Sequence, residues 1–218
     1  MKFSSENLDP LCRALKLRLR QPLPGETAHM KMASRVRKKE IDFNFNRSEA
    51  VKSAVLILLY PASGAIRTVF ILRPDYKGVH ARQVAFPGGR VEASDKSIEE
   101  TALREANEEV NIEPGHVKLL GNLSDLYIPP SNYLVTPVVG YTENVPEFVP
   151  EKSEVDKIIE ADLANIFDET LINHKIINVR GIEIEAPYFD INGYVVWGAT
   201  AMILSELKEV ISSINPNS

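Results

Sequence analysis

Arg104, Glu105, Glu108 and Glu109 are the residues of this chain whose types and spacing could do chemistry. Carboxylates at i, i+3 and i+4 share one side of a helix. At about 100° per residue, Ile98, Ala102, Leu103, Ala106 and Val110 form the apolar arc that faces a core. Glu105 and Glu109 lie at the margin of that arc, and Glu108 lies further out beside Arg104. Ser97 and Glu100 make a capping-box pattern that starts the helix, and Asn111 suits the left-handed residue that ends it. The acids therefore fall near the negative end of the macrodipole, where each is disfavoured by about 0.3–1 kcal/mol. Glu105 and Glu109 add a repulsion of about 0.2–0.5 kcal/mol. A solvated acidic face is one reading. The other is a set of hard oxygen ligands for Mg²⁺ or Mn²⁺, with phosphate oxygens and water completing the shell. Pro87-Gly88-Gly89, just upstream, favours the second reading, because a glycine backbone can approach a metal or phosphate that side chains would block.

The stretch Arg104-Glu105-Ala106-Asn107-Glu108-Glu109-Val110-Asn111-Ile112 resembles the second half of the Nudix hydrolase signature, with Ala106 small for its bulky position and Asn111 in place of Gly. In the first half, Lys96 and Arg90 stand where Glu and Gly are expected, and Asp95 and Gly89 each stand one residue early. The early Glu of the signature therefore has no direct match, and Glu92 and Asp95 are the nearest acids. The shift, together with Leu72-Arg73 and His80 to Gly89, resembles the coenzyme A pyrophosphatase branch, which has Gly where this chain has Arg82. Val135 to Gly140 and Val196 to Ala201 add to the likeness, which covers about residues 48 to 210.

That resemblance implies an α/β/α sandwich with a mixed β-sheet, here preceded by an N-terminal helical extension. It implies metal-dependent hydrolysis of the pyrophosphate bond of coenzyme A or its derivatives, giving 3′,5′-ADP and 4′-phosphopantetheine. Glu105 and Glu109 are then the principal metal ligands. Glu108 is a third ligand or holds Arg104, and the carbonyl of Gly88 or Gly89 completes a shell. Arg104 orients the carboxylates. The general base is a box Glu or Glu154 on a late loop. Arg73, His80, Arg82 and Gln83 flank the glycine turn and are candidates for the phosphates. Two rival functions share these residues. One is pyrophosphatase action on ADP-ribose, NADH or another nucleoside diphosphate derivative; the other is a nucleotide-sensing module without turnover. Many members of the family pair, which makes a homodimer an expectation.

The elements that must position these residues can be read from pattern. Residues 6–20 form a short helix with Leu8, Leu11, Leu15 and Leu19 on one face, expected to pack on the main domain or a second subunit. Pro22 to Gly25 is a linker, and Met30 to Lys39 is a basic connector. Ala54 to Tyr60 is a continuous apolar run and reads as a buried strand. Ser63-Gly64 turns it onto Thr68 to Leu72. A loop with Arg73, Lys77, His80 and Arg82 leads to Gln83 to Phe86. Val117 to Leu126 and Leu134 to Tyr141 read as strands, separated by Pro129-Pro130. Residues 157–167 are expected to be a short helix. Ile182 to Phe189 and Tyr194 to Trp197 read as strands around an Asn192-Gly193 turn, and Thr200 to Ile211 as a closing helix. Trp197 is expected to pack as a core aromatic.

Composition bounds the rest. The 218 residues suit an extension over 1–47 and one domain over 48–218. Hydrophobic content of 44% and charged content of 25% are ordinary for a globular chain. Cys12 is the only cysteine, so no disulfide forms within the chain. The four histidines and this cysteine fall in no nucleophilic motif. No apolar run is long enough to span a membrane, and no secretory signal is visible, so a cytoplasmic location is expected. Residues 1–50 hold 11 basic against 6 acidic residues, and the remainder 14 against 24. An acidic body suits a metal, a basic arm suits a phosphate-rich small molecule, and nothing points to nucleic acid.

Overall fold

A computed structural model describes residues 3–39, 49–75, 80–179 and 181–214, with backbone alone at 38, 39, 179 and 182. Lys77 and the expected boundary at 47/48 lie outside these residues. The long strand β1 (Val51–Ala62) runs through the centre of an eight-stranded mixed sheet. A two-residue turn at Ser63-Gly64, both at positive φ, returns it as β2 (Ala65–Leu72). Two short strands follow, β3 (Val84–Ala85) beside β2 and β4 (Gly88–Arg90) beside β1. On the far side of β1 lies β7 (Tyr133–Tyr141), in parallel register from Val51↔Tyr133 to Leu59↔Tyr141. Strands β5 (Lys118–Asn122) and β6 (Leu126–Ile128) pair with β7, and β8 (Lys157–Asp162) pairs with β2.

Helices cover both faces of the sheet, which explains the unbroken apolar run in β1. Ala54, Leu56, Leu58 and Tyr60 pack against Ala102, Ala106 and Val110 of α4 (Ile98–Val110). Ile57 and Leu59 face the opposite way, into a core shared by α1 (Leu8–Arg18) and α5 (Gly198–Ser213). The stripe read from the N-terminal sequence is realised there: Leu8, Leu11, Leu15 and Leu19 are buried against the domain. The result is the expected α/β/α sandwich with a mixed sheet and an N-terminal helix. No helix of the described residues is long and apolar enough to cross a membrane.

Four local expectations change. Residues 157–167 are not a helix but β8 followed by a 3₁₀ segment (Leu163–Phe167), because β2 offers an open edge that six residues of this stretch can pair with. Val117 to Leu126 is not one strand. It is β5, whose register shifts between Leu119 and Gly121 where Gly121 stands at φ 149° beside Leu19, and then β6 from Leu126. The basic connector, Met30 to Lys39, contains a 3₁₀ turn (Met30–Met32) and α3 (Arg35–Lys39), and a short helix α2 (Glu26–His29) precedes it. A strand absent from the sequence reading, β9 (Ile172–Val179), joins β10 (Ile182–Ile191) and β11 (Tyr194–Trp197) in a second, antiparallel sheet.

Candidate active site

The site forms where β4 meets α4. Gly88 lies at φ 155°, and a Cβ there would stand 2.2 Å from the Ala54 carbonyl oxygen, so only glycine lets β4 pair this closely with β1. Its amide donates to Glu109 Oε2 at 2.8 Å. A Cβ on Gly89 would stand 2.4 Å from a carboxylate oxygen of Glu105, so this second glycine makes the recess in which that carboxylate rests. Helix α4 is capped as expected. Ser97 accepts from the Glu100 amide at 3.2 Å, and Asn111 is left-handed at φ 60°.

Arg104 organises the acids. Its Nε and Nη2 donate to the two oxygens of Asp95 at 2.9 and 3.0 Å, and Nη2 also donates to the Arg90 carbonyl at 2.9 Å. Its Nη1 donates to Glu105 at 3.0 Å and to Glu108 at 3.1 Å. Asp95 also accepts from the Thr101 hydroxyl and the Glu92 amide, both at 2.8 Å, and its side chain is 2% exposed. Arg104, helped by these bonds, holds the Asp95 carboxyl well below the usual carboxylate range. Asp95, one of the two acids nearest the place where the sequence offered no Glu, is therefore the carboxylate that fixes Arg104. The one-residue offset hid it, although the pairing of Asp95 with Thr101 and Arg104 around a helix start was available as a signal.

Burial sets the electrostatics of the other acids. Glu109 is 1% exposed, and loss of solvent pushes its carboxyl up to about 7 against the pull of Arg73 and the Gly88 amide. Burial also raises Glu105, against the pull of Arg104. Arg73 reaches the same corner, donating to the Gly88 carbonyl at 3.2 Å and standing 3.6 Å from Glu109 Oε1. His80 Nδ1 lies 3.0 Å from Gln83 Oε1.

These groups line one cavity of about 940 Å³. Its ionic end holds Glu105, Glu108, Glu109 and Glu154, with Arg73, His80 and Gln83 beside Gly88 and Gly89. Arg82 does not belong to the lining. It is exposed on the turn before β3, and its backbone is left-handed at φ 55°, which turns this residue away from the group it was expected to join. Arg90 and Tyr133, which the sequence reading did not place in the site, do line the cavity and are joined by a 2.6 Å hydrogen bond. Trp197 is not a core aromatic: it is half-buried on the cavity wall and belongs to neither core cluster.

The donor set fits a hard divalent cation. Among the described residues no three acidic side chains already converge on one point. Glu105 and Glu108 instead share Arg104 Nη1, and Glu109 is bound to the Gly88 amide. Arg104 stays neutralised by Asp95 if either glutamate turns away, so both are available to a cation. The recess at Gly89 lets the Glu105 carboxylate lie against the backbone, and carboxylate oxygens are the ligands that such ions take.

The chain is similar to known proteins in sequence and in fold. The family model described as NUDIX domain matches residues 51–174. A protein of Photorhabdus laumondii subsp. laumondii, called uncharacterized Nudix hydrolase NudL, is 38% identical over 132 residues, covering 61% of this chain and 70% of its own. A NudL of Pectobacterium atrosepticum is 41% identical over 140 residues, with coverages of 61% and 69%. Among solved structures, the Nudix hydrolase RenU from M. smegmatis superposes with a TM-score of 0.54 at 16% identity, covering 76% of this chain and 88% of that one, which is a likeness of fold.

Proposed function

Because the chain belongs to the Nudix hydrolase family, a family of pyrophosphate hydrolases that use divalent ions, we propose that it cleaves the diphosphate of coenzyme A or its derivatives. The observation that carries the reading is the cavity itself. His80 to Gly89, the stretch that resembles the coenzyme A branch, provides several of its lining residues beside the four carboxylates.

Glu105, Glu108 and Glu109, with the Gly89 carbonyl, would hold Mg²⁺ or Mn²⁺. A bound ion neutralises charge on the diphosphate oxygens and lowers the pKa of the attacking water. Arg73, fixed on the Gly88 carbonyl, supplies a cation beside the phosphates, and His80 and Gln83 add hydrogen-bonding groups. Arg104 spends its donors on Asp95, the Arg90 carbonyl and two glutamates, so it positions the acids rather than binding substrate. Water adds to one phosphorus, the anhydride P–O bond breaks, and the proton of that water passes to a cavity carboxylate. We assign this role to Glu154, which is exposed on the cavity wall. Positioning and charge neutralisation carry such a reaction without a covalent nucleophile.

Incubation with coenzyme A and Mn²⁺, followed by separation of products, tests the reading. It predicts 3′,5′-ADP and 4′-phosphopantetheine; intact coenzyme A, or a higher kcat/KM for ADP-ribose or NADH, overturns it. Glu109→Gln is expected to keep the fold and lose turnover by about 10²-fold or more, the order of a ligand worth several kcal/mol to the transition state.

A further inference from the structure

Part of the cavity lining is not used by the hydrolytic chemistry. It is apolar and comes from segments outside the family-matched region: Val36 on α3, Ile184 on β10, and Trp197 and Met202 around the start of α5. Ile128 and Pro129, beside β6, continue it. Val36, Ile184 and Trp197 belong to neither core cluster, and Val36 is 37% exposed. Val36 and, far along the chain, Ile184 and Trp197 of the β10–β11 hairpin are thus withheld from the core and line one cavity. Burying a ligand there would recover the hydrophobic stabilisation that these side chains lack in the free protein.

Helix α3 is fixed in place. Ser34 Oγ accepts from the Arg37 amide at 3.2 Å. Arg35 Nη1 stands 2.8 Å from Glu185 Oε2 on β10, and Arg37 Nη2 donates to the Tyr127 carbonyl on β6 at 2.6 Å. A five-residue helix carrying a β-branched Val has little helical tendency of its own. These two side-chain anchors hold it where Val36 meets the cavity.

We propose that α3 is a specificity element: Val36, with Ile184 and Trp197, receives the apolar arm of the substrate, so that an acylated coenzyme A is favoured over the unacylated one. Because these residues and the carboxylates line a single cavity, the occupant we assign to them is the far part of the same diphosphate molecule. The inference rests on the coenzyme A reading and can fail separately from it.

Steady-state kinetics with Mn²⁺ on octanoyl-coenzyme A, coenzyme A and ADP-ribose, for the full chain and for Val36→Asp, Val36→Leu and Ile184→Ser, provide the test. Wild type is expected to prefer the octanoyl derivative. Val36→Asp is expected to lower its kcat/KM by about tenfold or more through KM, with ADP-ribose turnover unchanged and Val36→Leu close to wild type. Ile184→Ser is expected to act in the same direction. Binding of octanoyl-coenzyme A to the metal-free protein by calorimetry should weaken in parallel. Equal losses on all three substrates, or no loss on the acylated one, overturn the proposal while leaving the coenzyme A reading intact. A wild type that cleaves ADP-ribose and neither coenzyme A derivative overturns both.

Discussion

At the residue scale, the arrangement around Arg104 turns on Asp95. A bidentate guanidinium–carboxylate pair is geometrically specific as well as strong, and here it is buried at the start of α4. It leaves Nη1 free to gather Glu105 and Glu108 on the cavity side. Without it, Arg104 would carry an uncompensated charge and draw both glutamates onto itself. Asp95→Asn is therefore expected to lower kcat/KM by about 10–100-fold, the usual cost of removing a group that orients ligands. Asp95→Glu should recover part of that loss, because the charge and the fork remain. Equal rates for wild type and Asp95→Asn would remove the positioning role.

At the element scale, the turn before β3 holds Arg82 at φ 55°. A non-glycine residue there costs about 1–2 kcal/mol, and the coenzyme A branch has Gly at this place. A left-handed backbone, which a glycine adopts freely, is thus held here by a larger residue. The turn is fastened from both sides, since the Arg73 amide donates to the Gln83 carbonyl and the Arg82 amide to the Pro74 carbonyl. Arg82→Gly is expected to change stability by less than about 1 kcal/mol, relief of strain being offset by unfolded-state entropy. Arg82→Val should destabilise by about 1–2 kcal/mol, because a β-branched residue resists positive φ. Chemical unfolding measures both. Neither change should alter KM by more than about twofold, because the side chain is outside the cavity.

At the scale of the whole molecule, a buried hydrogen-bonded contact joins the N-terminal segment to the last helix. Glu206 on α5 is fully buried, with Oε2 2.9 Å from His29 Nε2 on α2 and Oε1 accepting from the Ser124 hydroxyl at 2.6 Å and the Gly25 amide at 3.1 Å. Burial pushes this carboxyl up, but the bonds from His29, Ser124 and Gly25 outweigh it and hold it below the usual range. A carboxyl depressed in the folded state contributes stability above its unfolded pKa and loses it as pH falls through the folded value. The contact is therefore expected to weaken on acidification below about pH 4.3, the ordinary Glu value. Glu206→Gln should lower stability at pH 7 by about 1–3 kcal/mol and flatten the acid limb of the stability profile. Urea unfolding of both proteins between pH 3 and 7 checks this, and parallel acid limbs would refute it.

The sequence alone determined what is local. The capping residues of α4, its apolar arc, the left-handed Asn111 and the two-sided burial of β1 follow from spacing and residue type, because helix and strand periods are short-range properties. The box carboxylates were legible for the same reason. Only the tertiary structure decided what depends on distant partners. The stretch at 157–162 became a strand because β2 left an edge open to it. Asp95 became the partner of Arg104 because the chain folds back at the helix start. Arg82 was turned out of the site by a left-handed turn. Val36 was brought to one cavity wall with Ile184 and Trp197 of the β10–β11 hairpin, more than a hundred residues later in the chain, and no local pattern encodes that meeting.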